Sequence, residues 1–150
     1  MHYFEAIPGS DRAGYESLSD LIPESHFVPF VETWRRGLPL HSGQEWLTTR
    51  FHFHLLAAAA GAKGTSIEAK AGYYDVKHGS VRGLGSGWAH VVDGVETVAS
   101  GPNTLASGLG ALVERKLAEA RKLYPEPTWA QGGGALGQSL LRSVKRRISS

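Results

Sequence analysis

From the amino terminus, His2 to Ile7 alternates aromatic and polar side chains and runs into Pro8-Gly9, which predicts a short strand closed by a turn. Tyr15, Leu18, Leu21 and Ile22 then recur at helical spacing until Pro23 stops the run, with Ser10 as N-cap and Asp11 at the positive end of the helix dipole. His26 to Phe30 reads as a second strand despite Pro29, and Val31 to Arg36 as a brief helix. A loop rich in breakers, Gly37 to Gly43, precedes a third strand, Glu45 to Thr49.

The segment Phe51 to Ala60 is strongly helical, and Gly61 sits where a left-handed cap is wanted. Thr65 to Ala69 follows as a strand, which completes a βαβ unit and implies parallel pairing. Gly72 to Trp88 is turn-rich, and Trp88 to Val92 suits a further strand. Leu105, Leu109, Leu112, Val113, Leu117, Ala120 and Leu123 mark one face of a long helix, with Asn103 as cap and Pro125 beyond its end. The alternation predicts an α/β fold, an open and mostly parallel Rossmann-like sheet with helices on both faces, over residues 1–124.

Residues 125–150 differ in character. Pro127, Gly132-Gly133-Gly134 and the basic positions Arg142, Lys145, Arg146 and Arg147 describe a linker and a basic tail. Leu136, Leu140, Leu141, Val144 and Ile148 give that tail an amphipathic helical spacing, suited to docking on the domain or a partner, or to weak contact with a membrane surface. Four basic residues are too few to point to nucleic acid.

Composition narrows the chemistry. The 150 residues contain no cysteine, which removes disulfides, thiolate metal sites and thiol nucleophiles. The formal net charge of +2 names no partner. No apolar run approaches the roughly 20 residues needed to span a bilayer, and the amino terminus lacks signal-peptide order, so a cytoplasmic location is expected.

The most informative stretch is Trp46-Leu-Thr-Thr-Arg50-Phe51-His52-Phe53-His54, at a strand-to-helix junction. Ligands of open parallel sheets bind beyond the carboxyl ends of strands. There the N–H groups of the next helix and a guanidinium together favour carboxylate or phosphate. Arg50 would clamp the anion and His52 would carry a proton near neutral pH. Equally, Arg50 suits a cap or a pair with Glu45, and His54 suits a structural position. His52 and His54 cannot share a metal ion, because residues two apart on a helix diverge, and no metal or cofactor is expected.

Thr-Thr-Arg-Phe-His before a Leu/Ala-rich helix ending in Gly resembles the Arg-Phe-His signature in the C-terminal half of polysaccharide pyruvyltransferases. The likeness continues through Gly-Tyr-Tyr-Asp-Val-Lys-His and Leu-Gly-Ser-Gly-Trp, over about residues 25 to 90. It implies transfer of the enolpyruvyl group of phosphoenolpyruvate to sugar hydroxyls as a pyruvyl ketal, in one half of an architecture similar to B-type glycosyltransferases. On that resemblance Arg50 binds the donor's carboxylate or phosphate beside Phe51, and His52 is the acid. Lys77, His78 and Tyr74 are further donor or acceptor contacts. Relatives carry an N-terminal domain before this region, so activity is expected with a separate N-terminal half or in a homo-oligomer. Two other readings stand beside this one: the nucleotide-sugar domain of a B-type glycosyltransferase, and a non-catalytic remnant that docks through its basic tail. The Gly83-to-Trp88 loop reads as a plain turn or as a backbone cradle for phosphate.

Overall fold

A computed structural model describes residues 1–68, 72 and 75–124; Tyr74 and the 125–150 tail lie outside the described residues. The chain divides into two compact units, Met1–Ser107 and Gly108–Ser150. The first is a mixed α/β unit. It opens with β1 (Tyr3–Phe4), α1 (Arg12–Glu16), a single 3-10 turn at Glu24–His26, β2 (Phe27–Val28) and α2 (Phe30–Arg36). The main sheet and its connections follow as β3 (Glu45–Thr48), α3 (Phe51–Ala59), β4 (Lys63–Glu68), α4 (Asp75–Gly83), β5 (Ala89–Val92) and β6 (Val95–Val98).

β1 and β2 form a small parallel pair, Tyr3 opposite Phe27 and Phe4 opposite Val28. Tyr15 packs against Phe27 at 4.9 Å between ring centroids, and its hydroxyl donates to the Ile22 carbonyl at 3.0 Å. Of the helical series read from the sequence, only Tyr15 and Ile22 are buried, while Leu18 and Leu21 face solvent. α1 is accordingly shorter than expected, ending at Glu16, and turns carry the chain from there to Ile22. Buried Glu5 ties the layers together, its carboxylate accepting the N–H of Gly9 at 2.8 Å and of Phe30, the first residue of α2, at 2.9 Å.

The four-stranded sheet has the order β3-β4-β5-β6. β3, β4 and β5 are parallel, as the βαβ reading expects, and β6 turns back antiparallel. The reversal is a two-residue hairpin at Asp93-Gly94, both with positive φ (49° and 78°), the twist that matches right-handed strands. In α3, Ala57 and Ala58 are fully buried, and their small side chains let the helix backbone lie close to the sheet. Gly61, at φ 85°, ends that helix, and Ala62 N–H reaches back to the Ala57 carbonyl at 3.0 Å. Asn103 closes the unit, donating to the Ala58 and Ala62 carbonyls while its own oxygen accepts from Ala106.

α4 occupies part of the stretch that the sequence presents as turns. Its C-terminal end is the Gly83-to-Trp88 loop, and that loop is a turn. The N–H groups of Leu84, Gly85 and Ser86 return to carbonyls of Ser80, Arg82 and Val81, so they are not directed at a phosphate. The Gly85 carbonyl accepts from both Thr104 and Leu105.

The last helix, α5 (Leu105–Leu123), starts in the first unit with buried Leu105 and continues as the second. Within the second unit, Val113, Leu117 and Leu123 are exposed, and Lys116 pairs with Glu119 at 2.7 Å. Among the described residues no helix is long and apolar enough to cross a membrane.

Candidate active site

A cleft of about 490 Å³ runs along β3 to the start of α3, and its walls include Tyr3, Phe4, Asp11, Trp46, Thr48 and Arg50. Arg50 stands at the N-cap position of α3 with extended backbone (φ −97°, ψ 120°), and its N–H donates to Thr48 Oγ1 at 2.9 Å. Its Nη2 donates to Asp11 Oδ1 across 39 residues of chain. The second Asp11 oxygen accepts the N–H groups of Ala6 and Ile7 at 2.9 and 3.0 Å. Burial works against this carboxylate, but the Ala6 and Ile7 N–H groups and the Arg50 guanidinium outweigh it and hold the Asp11 pKa below the usual carboxylate value. The aspartate read as a helix-dipole partner is therefore the anchor of Arg50. Among the described residues nothing accepts from the remaining guanidinium nitrogens, and the side chain keeps about a third of its surface exposed.

The other candidate residues fall in different places. Phe51 is half-buried at the first position of α3 and meets the His52 ring edge-on, with centroids 5.3 Å apart. His52 is exposed, and Lys77 is exposed on α4. His78, taken from the resemblance as a substrate contact, is instead fully buried. Its Nδ1 faces His54 Nδ1 at 3.0 Å and its Nε2 faces the Thr49 carbonyl at a long 3.4 Å. One of its contacts is thus to the peptide that precedes Arg50.

Polar side chains dominate this part of the interior. On β3, β4 and β5 the in-register positions Thr48, Ser66 and His90, with Glu68 two residues beyond Ser66, are all buried, as are His54, His78 and Ser86. Such groups remain inside only when hydrogen-bonded. The chain of bonds fixes the ring tautomers. The Thr49 carbonyl can only accept, so His78 carries its proton on Nε2 and accepts at Nδ1. His54 must then donate from Nδ1 and accept at Nε2, where Ser86 Oγ lies at 3.0 Å. His54 also stacks on Trp88 with ring centroids 4.5 Å apart. Desolvation, reinforced by the fields of His78, Arg82 and His90, pushes its pKa down to about 3. His78 is lowered as well, chiefly by burial. Nitrogen NMR of the histidine rings near neutral pH is expected to show His54 protonated at Nδ1 and His78 at Nε2; the reverse pair would show that the Thr49 carbonyl does not orient the chain.

A second group, Glu68, Asp75 and His90, places one ligand-capable atom from each residue within 4.8 Å of the others. None of these three was singled out as a metal ligand in the sequence, where Asp75 entered only as part of the Gly-Tyr-Tyr-Asp-Val-Lys-His motif. Comparison with known proteins gives no match to this chain among family models, curated proteins or solved structures.

Proposed function

We propose that residues 1–107 are a donor-binding domain of a pyruvyltransferase-like transferase that takes phosphoenolpyruvate. The observation that carries this reading is Arg50: a guanidinium at the carboxyl edge of parallel strands, at the start of α3, held at the cleft by Asp11 with donors to spare. A fork of that kind binds carboxylate or phosphate in two-point fashion, and the first N–H groups of the helix add to the field. The parallel order β3-β4-β5 with helical crossovers supports one half of a Rossmann-like architecture.

In this reading Arg50 holds the donor's negative charge, and exposed His52 gives its proton to the methylene carbon. Positive charge then develops at the neighbouring carbon, a sugar hydroxyl adds there and returns its proton to His52, and a second hydroxyl closes the ketal as the carbon–oxygen bond to phosphate breaks, its proton leaving with inorganic phosphate. Lys77 contributes charge near the leaving phosphate. Acceptor contacts come from a second domain, and polysaccharide or exopolysaccharide precursors are the substrate class.

Calorimetric titration with phosphoenolpyruvate tests this. Binding is expected, with Arg50→Ala weakening it about 30-fold or more, or roughly 2 kcal/mol. Arg50→Lys should recover only part, since an ammonium lacks the planar fork. A well-folded chain that ignores phosphoenolpyruvate, alone and with a complementing N-terminal half, overturns the reading; one that binds uridine diphosphate instead turns it toward a nucleotide-sugar domain.

A further inference from the structure

The group formed by Glu68 at the end of β4, Asp75 at the start of α4 and His90 within β5 has a chemistry of its own. His90 is almost fully buried, and its Nδ1 lies 3.2 Å from the Ser66 carbonyl and 2.9 Å from Ser66 Oγ, whose own proton goes to the Ala89 carbonyl at 3.2 Å. A carbonyl only accepts, so Nδ1 carries a hydrogen and Nε2 is the ring atom left to bind a cation. That nitrogen has no hydrogen-bond partner, and it faces Glu68 Oε2 at 3.7 Å. The distance is too long for a shared proton to bridge well. It suits a cation between them: atoms 3.7 Å apart subtend about 120° at an ion roughly 2.1 Å from each.

The pleat explains why the two meet. Ser66 pairs with His90 across β4 and β5, so Glu68, two residues on, is the diagonal neighbour on the same face. Asp75 supplies the third ligand from the start of α4, and it is exposed, which leaves a path from solvent. At present its exposed carboxylate lies 3.5 Å from Nη2 of the half-buried Arg82, a long pairing that a cation can displace. The second ring nitrogen of His90, fixed by a backbone carbonyl, is the arrangement that orients metal-binding imidazoles generally.

We propose that Glu68, Asp75 and His90 bind one divalent ion of the zinc or manganese type. One imidazole and two carboxylates suit these borderline ions better than magnesium, and solvent completes the coordination. The ion would join the end of β4, the start of α4 and β5 at the carboxyl edge of the parallel strands. This inference does not depend on the donor-binding reading.

Zn²⁺ titration of the full chain by calorimetry, and Co²⁺ titration followed by visible absorption, test it. One ion per chain is expected, with visible Co²⁺ bands. Asp75→Asn, an exposed change that circular dichroism should show to be folded, is expected to weaken binding at least about 30-fold and abolish the bands. His90→Gln should do the same where it folds. A His2→Gln/His26→Gln double variant, which removes the stacked surface histidine pair, should leave binding unchanged. Absence of saturable binding, binding that survives Asp75→Asn, or binding lost only with the surface pair overturns the proposal.

Discussion

Replacing Trp88 with alanine is expected to remove about 3–5 kcal/mol of folding stability, a large share of what a domain of this size holds. The indole is 2% exposed, and its Nε1–H donates to the Ala62 carbonyl at 2.9 Å. One face stacks on His54, and its edge lies over Gly64 so closely that an added Cβ there would stand 2.7 Å from the ring. Strand β4 and the indole are thus fitted to each other, and alanine leaves a void that rigid backbone cannot close. It also uncovers His54, whose ring is stacked on that face. Trp88→Phe should keep the stack, lose the hydrogen bond and cost about 1–2 kcal/mol. Urea denaturation of both variants measures the difference. An alanine variant within 1 kcal/mol of the parent would show that the indole is not the centre of the interior.

Mild acid is expected to destabilise the fold before most carboxylates titrate. His54 has an ordinary pKa near 6.5 in the unfolded chain and about 3 in the folded one. Its stabilising contribution is therefore complete above about pH 6.5 and is lost as pH falls toward 3, because the unfolded chain takes up a proton that the native ring refuses. One such proton changes stability by at most about 1.4 kcal/mol per pH unit. A drop of roughly 2–3 kcal/mol between about pH 7 and 4.5 follows from His54, and His78 acts in the same direction. Denaturation at the two pH values, with His54→Gln expected to flatten the slope by about half, measures it. Equal stability at both would show that the native ring accepts a proton after all.

These effects arise where the sequence was least readable. The βαβ unit was legible because Leu55 to Gly61 combines strong helix formers with a glycine stop, and the neighbouring strands are short and bounded. α4 was not legible, since Asp75 to Gly83 has two valines and two glycines, and its buried positions are Val81 and a histidine. The β5-β6 hairpin carried an Asp93-Gly94 signal, but β6 is exposed throughout and lacks an apolar alternation. Arg50 was legible as a site residue from its place before α3, whereas its partner Asp11 was not, because 39 residues separate them. The histidines at 54, 78 and 90 are likewise scattered, and only parallel pairing and the crossovers bring them together. Polar residues at alternate strand positions ordinarily face water; here Thr48, Ser66, Glu68 and His90 face inward.

The Asp11–Arg50 contact has a consequence for any anion arriving at the cleft. Arg50 already has an incumbent, a carboxylate tethered to the same fold and therefore present at a high effective concentration. An incoming anion must either use the guanidinium donors that Asp11 leaves open or displace it and break its link to the Ala6–Ile7 backbone. Affinity at this cleft is thus a competition between an external guest and an internal one. Selection can tune it at residue 11, without touching the arginine.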